Sequence, residues 1–465
     1  VPNTDLAIAL TSLAANQPAY RSYTDYYAGE HRLLFATDKF RNTFGALFRA
    51  FACNLCPVVV DVPADRLSLT GFTVAGGGQR ADDAWAIWNA NHMDRRSGQV
   101  HLEALKAGDA YVIVWPDRMG EPTIYPQRAA TMTVHYDDEE PGLITWAAKA
   151  WARDDKKVRV TLYYPDRIEK YIGASATNGM LPTNANNLEP FATPGEPWPL
   201  PNPYGAVPVF HFGNNAGIGE FGTSELVNII PLQDGLNKSI CDRLVAQEFI
   251  AYPQRWATGL EIDKDPATGA PIPPFIPGVD RLWGVEDADV KFGEFAQARI
   301  SEFITGEEDW LKKIAAVSGI PLHYLVHQGG GWPSGESMKT AEARLIAKVQ
   351  DRQLAFGNVW ENALSFAMQI ARKPETALVS LWNDPTPRNE RDHAAMLTMK
   401  RAVGVSAKQV MREFGYSDEE IAQMEAENLT DPFQPAPAVA KPGIPGESDQ
   451  PTVSNSARVL GTVER

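Results

Sequence analysis

SELVNIIPLQDGLNKSICDRLVAQEFI (224–250), ARISEFITGEEDWLKKIAAVSG (298–319) and the run 337–372 decide how this chain is read. In the first, Leu226, Ile230, Leu236, Ile240, Leu244 and Ile250 fall close to a helical period. Ser224 is a natural N-cap, and Glu225 is favourable beside the positive helix end. Pro231 removes one backbone donor, which predicts a break or kink there. In the second, Ile300, Phe303, Ile304, Trp310, Leu311 and Ile314 share one face, and Gly319 followed by Pro321 is a stop signal. Between them, prolines and glycines recur over 252–280 and predict a compact non-helical insert that packs on Trp256, Phe275 and Ile276. PLHYLVHQGGGWPSGES (321–337) follows, where Gly329, Gly330 and Gly331 free the backbone beside Trp332 and Pro333. The run 337–372 then predicts a single helix of about 36 residues, roughly 54 Å at ~1.5 Å per residue.

Working outward, 465 residues with 44% apolar content are enough for more than one core. No run of about 18 apolar residues predicts a membrane span. VPNTDLAIALTSL, at the start, lacks the basic opening and long apolar core of a secretory signal, which predicts synthesis in the cytoplasm. Three cysteines do not make a disulfide framework, and the Cys53–Cys56 pair has only Cys241 beyond it, short of a four-ligand zinc site. The net charge of −15 disfavours a tight, static grip on nucleic-acid phosphates. Residues 286–309 concentrate it, with eight acids against Lys291 and Arg299.

Along the chain, 4–30 reads as a polar helix with tyrosines 20, 23, 26 and 27 placed for packing. NTFGALFRAFACNLC (42–56) reads as an apolar helix and PVVVDVPADRL (57–67) as a strand, from its β-branched run. TGFTVAGGG (70–78) is read as a Gly-rich turn and ADDAWAIWNANHM (81–93) as an amphipathic helix; SGQVHLEALKAGD (97–109) is the next, capped by Ser97 and closed by Gly108. The period then changes to two. AYVIVWP (110–116), PTIYP (122–126), TMTVHY (131–136), LITWAAKAW (143–151), VRVTLYYP (158–165) and IEKYIG (168–173) are predicted strands, with the acids 137–140 in a solvated turn. A loop over 174–201 leads to a buried strand in VPVFHFGN (207–214); ALVSLWND (377–384) predicts another strand. Three short helices follow within 388–428, with Ser406 and Ser417 as N-caps. Beyond residue 430, six prolines and few large apolar groups predict a disordered or extended arm.

Catalytic signatures are missing. There is no GxxxxGK[ST] to cradle a nucleotide, no GxSxG and no HExxH beside His323 and His327. Glu307, Glu308 and Asp309 are consecutive on a helix and point in different directions, a poor acid–base pair. These features predict no catalytic residue, no cofactor and no metal, and they turn attention to shape and assembly.

NPYGAVPVFHFGN (202–214), GTSELVNIIPLQDGLNKSICDRLVAQEFIAYPQRWATG (222–259), KFGEFAQARISEFITGEEDWLKKIAAVSGIPLHYL (291–325) and PSGESMKTAEARLIAKV (333–349) resemble the portal proteins of long-tailed, siphovirus-type bacteriophages, and a looser similarity runs from about residue 20 to 427. The resemblance implies an α+β portal fold with wing, stem, clip and crown, assembled as a homo-oligomeric ring, usually of twelve. That ring would sit at one capsid vertex of the virion. Double-stranded DNA would pass through it during packaging and ejection, while a separate terminase hydrolyses ATP. Terminase, then a head–tail connector, and the major capsid and scaffolding proteins are the implied partners, with no membrane. A nuclease or ATPase of the packaging machinery, and a capsid or head–tail adaptor protein that conducts no DNA, are the alternatives.

On this sequence the resemblance implies wing over 1–222, a first stem helix in 223–251, clip in 252–297, a second stem helix in 298–319 and a tunnel loop in 320–336. The long helix and its return to the wing occupy 337–387, crown helices 388–430 and the arm 431–465. Tunnel-loop residues facing DNA would be His327, Gln328, Gly329, Gly330, Gly331, Trp332, Pro333 and Ser334, with Trp332 touching either DNA or a neighbouring subunit. Glu302, Glu307, Glu308 and Asp309 would line the channel. Trp256, Phe275 and Ile276 would meet the clip's partners.

Overall fold

A computed structural model describes residues 4–32, 52–76, 79–152, 157–174, 185–251, 255–259, 264–272, 289–294, 299–326, 335–374, 376–386, 390–414, 416 and 418–430. The chain forms two units, Val1–Thr386 and Pro387–Arg465. The first unit opens with α1 (Thr4–Tyr27) and α2 (Cys56–Ala64), then β1 (Leu69–Val74), α3 (Asp82–Ala90) and α4 (Met93–Ala107). Strands β2 (Asp109–Pro116), β3 (Pro122–Arg128), β4 (Met132–Tyr136), β5 (Ile144–Ala152), β6 (Lys157–Tyr163), β7 (Arg167–Ala174), β8 (Leu188–Pro190), β9 (Leu200–Pro201) and β10 (Val209–Gly213) follow. Next come α5 (Ile230–Ala251), the hairpin β11 (Arg255–Thr258) with β12 (Lys291–Glu294), α6 (Ile300–Ser318), α7 (Gly335–Ile370) and β13 (Leu378–Trp382). The second unit holds α8 (Glu390–Ala402), α9 (Ala407–Phe414) and α10 (Asp418–Thr430). The fold class is α+β, as the sequence predicts.

Strand β2 separates two cores. Its run Ala110–Val114 is buried on both faces, so alternation sends Ala110, Val112 and Val114 into the main core and Tyr111 and Ile113 into a second cluster with Met132 and Val134. β10, β2 and β3 form one antiparallel sheet, while β4 to β8 form another in sequence order, with β9 pairing β7. One face of that second sheet, through Trp146, Ala148 and Ala150 of β5 and Val158, Val160 and Leu162 of β6, packs on Leu6, Ala9, Leu10 and Leu13 of α1. The opposite face carries Lys149, Trp151, Arg159 and Tyr163.

Helix α7 runs 36 residues, the length predicted, and starts two residues earlier than the reading. Leu345, Val349, Phe356, Trp360, Ala363, Leu364 and Ala367 bury its inner face in the main core. Trp360 is fully buried, with its ring 5.0 Å from Trp88 and 4.7 Å from Phe212. Trp85 and Trp88, three apart on α3, are stacked at 6.0 Å.

Three local readings change. Residues 56–64 are helical, not a strand: Pro57 suits a first turn, and Cys56, Val59, Val60 and Pro63 fall on one buried face, so tertiary burial at a 3.6 period outweighs the β preference of the valines. The break predicted at Pro231 is found as the start of α5 at Ile230, after a turn over 225–229, and the proline sits where its missing N–H would have no helical partner. Ser224 still caps, but over a preceding turn, where its Oγ accepts from the Leu226 N–H at 3.0 Å. Ser97 lies inside α4, which starts at Met93 after His92 in a left-handed conformation, and it is buried. Leu69–Val74 is a strand rather than a turn, since it finds β13 as its antiparallel partner.

The tyrosines near residue 20 pack as read. Tyr20 donates to Asp109 Oδ2 at 2.7 Å, and Tyr26 donates to Asp234 Oδ1 at 2.8 Å. Gly108 closes α4 with φ of +99°, and a Cβ there would meet the Gly222 carbonyl at 2.8 Å; the close approach of these two segments requires glycine. Within 174–201, β8 and β9 are short additions to the sheet edge. In the second unit, Ser406 Oγ accepts from the Gln409 N–H at 3.3 Å, as its capping role requires. Most of 42–56, together with Ser417 and 431–465, lies outside the described residues.

Candidate functional site

Helices α5 and α6 pack side by side in opposite directions, since Gly235 meets Trp310 and, further along, Arg243 meets Glu307. The contact is close because Gly235 has no side chain: a Cβ there would stand 2.8 Å from the Trp310 ring. Trp310 Nε1 donates to Ser239 Oγ at 3.0 Å, and Arg243 Nε donates to Glu307 Oε1 at 2.6 Å. Glu307 is therefore turned to the neighbouring helix, with its side chain 15% exposed. Glu302, Glu308 and Asp309 are exposed, and each has a cation on its own helix or just ahead of it. Arg299 lies 3.6 Å from Glu302, Lys312 3.7 Å from Glu308 and Lys313 2.8 Å from Asp309. Reading four residues past 309 adds Lys312 and Lys313 to the acidic window, and the i,i+4 spacing of both pairs is visible in the sequence.

The base of α5 is held by side chains that mimic a backbone ladder. Gln233, fully buried, accepts from the Leu55 N–H at 2.9 Å and donates to the Cys53 carbonyl at 2.8 Å, while Asn237 Oδ1 accepts from the Cys53 N–H at 2.9 Å. One turn earlier, Glu225 pairs with Lys348 and Arg352 of α7, all three nearly buried. Lys348 Nζ also donates to the Ser318 carbonyl at 3.0 Å. A single ammonium thus joins the approach to α5, the end of α6 and the middle of α7. Glu225 lies 123 residues from Lys348 and 127 from Arg352, and no local signal marks these pairs.

Residues 322–324 form a short 3-10 turn just ahead of the glycine-rich loop. Arg66 clamps it, donating to Tyr324 Oη at 2.7 Å and pairing with the buried Glu342 at 3.2 Å. His323 Nε2 lies 3.5 Å from Glu342. The loop itself, His327, Gln328, Gly329, Gly330, Gly331, Trp332, Pro333 and Ser334, lies outside the described residues, as do Phe275 and Ile276. Trp256 is described: it stands opposite Gly293 across the β11–β12 pair, its indole over the glycine, and it is 37% exposed. Phe292 and Ile272 are also exposed nearby in sequence, at 44% and 45%.

Among the described residues, no three or more His, Cys, Asp or Glu side chains gather as a metal site, and no helix is long and apolar enough to cross a membrane. The clusters present join helix to helix and strand to helix within the chain. Residues 10–431 match the model of the phage portal proteins described as SPP1 Gp6-like, and the chain belongs to that family. It is 26% identical over 420 residues to the portal protein of Mycobacterium phage D29, covering 85% of this chain and 82% of that protein. It is 25% identical over 389 residues to the portal protein of Mycobacterium phage L5, covering 78% and 76%. Phage portal proteins are virion components with a structural rather than a catalytic part to play.

Proposed function

We propose that copies of this chain close into a ring, of twelve, at one capsid vertex, and that double-stranded DNA is packaged and later ejected through it. Terminase docks first and supplies ATP hydrolysis, and a head–tail connector replaces it. Major capsid and scaffolding proteins surround the ring, which is made in the host cytoplasm. Membership of the portal family over residues 10–431 carries this reading. In it, 1–222 is wing, 223–251 and 298–319 are the stem, 252–297 is the clip, 320–336 is the tunnel loop, 337–387 is the long helix with its return, 388–430 is crown, and 431–465 is an arm. Trp256, Phe275 and Ile276 meet the clip's partners, and His327 to Ser334 meet DNA. Native mass spectrometry with electron microscopy of the purified protein tests the ring. A dodecamer with a central hole wide enough for duplex DNA, about 20 Å, supports the conduit; an oligomer with a closed centre sinks it and favours an adaptor.

The stem acids then divide into two roles. Glu302, Glu308 and Asp309, each beside a cation, offer passing phosphates a compensated surface that neither grips nor bars them. Glu308→Lys with Asp309→Lys would join Lys312 and Lys313 in a four-cation stripe, adding phosphate contacts whose release depends on salt. Packaged DNA per particle is expected to fall several-fold with rings intact; unchanged packaging would remove these acids from the channel. Glu307→Lys is expected to act differently, placing a second cation against Arg243 and destabilising the helix pair by about 1–3 kcal/mol.

A further inference from the structure

The face of the second sheet turned away from α1 and the neighbouring β2–β3 hairpin enclose a cleft of about 800 Å³. Its floor is set by strand register: Lys149 of β5 stands opposite Thr161 of β6, which stands opposite Lys170 of β7, and Trp151 stands opposite Arg159. Trp115, Tyr125 and Phe191 contribute walls. Lys170 is engaged by Glu196 and Thr193. Lys149 and Arg159 meet no carboxylate among the described residues. Lys149 rests 4.7 Å from the Trp151 ring and Arg159 lies 3.8 Å over Phe191. Arg159 Nε is buried with no hydrogen-bond partner, and burial pulls the Lys149 ammonium below its usual pKa. A desolvated cation and an orphaned donor both gain from an incoming carboxylate, and the rings around them gain from apolar surface arriving with it.

The same chain presents that complement at the β4–β5 turn. Asp137 Oδ1 accepts from the Glu139 and Glu140 N–H groups at 2.8 and 3.0 Å, which fixes the turn and holds the Asp137 carboxyl below its usual range. Asp138, Glu139 and Glu140 are left exposed, with no ion pair among the described residues. Leu143 is 52% exposed, and Ile218 is 88% exposed on the loop that lies against Pro141 through Gly219. Leu143 and Lys149 are six residues apart along one extended run, about 20 Å at ~3.4 Å per residue, so the turn cannot fill the cleft of its own copy.

A ring closes only when a patch on one side of the subunit fits a different patch on the other. We propose that the acidic turn 137–140 of one copy docks into the Lys149–Arg159 cleft of the next, its carboxylates on the two cations and Leu143 or Ile218 on the aromatic walls. This contact rests on the ring reading given above. Native mass spectrometry scores the wild type first. Asp138→Lys with Glu139→Lys, and separately Lys149→Glu with Arg159→Glu, are each expected to lower the ring fraction about tenfold at physiological salt, as like-charge juxtaposition does. All four changes in one chain restore it. The turn is exposed, so its variants fold; Asp138→Asn with Glu139→Gln and Glu140→Gln is expected to lower the salt concentration at which rings dissociate. Wild-type ring yield in both reversal variants, or a combined variant that melts like wild type yet stays monomeric, overturns the contact while leaving the ring reading in place. Absence of rings in the wild type itself counts against the ring reading and removes the contact with it.

Discussion

Glu225→Ala is expected to destabilise the first unit by about 3–5 kcal/mol, the usual cost of leaving a buried charge without its partner. Two cations depend on this carboxylate, and their side chains are only 16% exposed for Lys348 and 8% for Arg352. Lys348 keeps the Ser318 carbonyl and Arg352 keeps Asp351, which softens the loss without supplying a buried anion. Glu225→Gln retains shape and one acceptor, so a smaller loss is expected. The midpoint of urea unfolding, with the slope checked for constancy, measures both. A shift below about 1 kcal/mol for the alanine variant would mean that the pair behaves as a solvated surface bridge. Lys348→Met added to Glu225→Ala is expected to recover part of the stability, because it removes one of the stranded charges.

Acidification from pH 6.5 to 4 is expected to cost about 3 kcal/mol through one imidazole, His101, the free-energy equivalent of its displaced pKa. His101 is fully buried between Leu67 and Trp360, and burial lowers its pKa to about 4. An indole N–H only donates, so the 2.9 Å bond from Trp360 Nε1 makes His101 Nε2 an acceptor; Nδ1 then carries the proton and donates to the Leu67 carbonyl at 3.1 Å. Above pH 6.5 the ring is neutral in both folded and unfolded chains, and it adds no pH dependence. Between 6.5 and about 4 the unfolded chain takes up a proton that the folded one refuses, so stability falls with pH; below about 4 both are charged and the loss is complete. His101→Gln can keep both bonds without titrating. Its unfolding free energy should therefore fall less than that of the wild type between pH 7 and pH 4.5, and equal falls would show that the imidazole is not held neutral.

Much of the architecture was legible because burial and local period agree. AYVIVWP reads as a strand, and it is one, buried on both faces over 110–114; the 36-residue helix is continuous because no proline interrupts its apolar stripe. Misreadings fall where the two disagree. Val58, Val59 and Val60 favour a strand by propensity, yet the core takes Val59 and Val60 with Cys56 and Pro63 at a helical period. Ser97 is a good cap by type, but the helix had already begun at Met93. The candidate site was legible only where its partners are close in sequence. Glu308 with Lys312 and Asp309 with Lys313 follow from spacing, whereas Glu307 with Arg243 is a contact 64 residues apart that turns this acid toward α5. Lys149 and Arg159 share a cleft through strand register alone, which alternation suggests but cannot fix.

The pairing of Leu69–Val74 with Leu378–Trp382 has a further consequence for how the protein is made. The first of these strands leaves the ribosome about 300 residues before its partner, a delay of roughly 15–60 s at ~5–20 residues per second. During that interval Phe72, which ends fully buried, belongs to a nascent chain whose strand has an open edge and whose core lacks Trp360. The first unit therefore completes this strand pair only after residue 382 has been made. Its folding yield is tied to whatever shields that edge until translation passes that point.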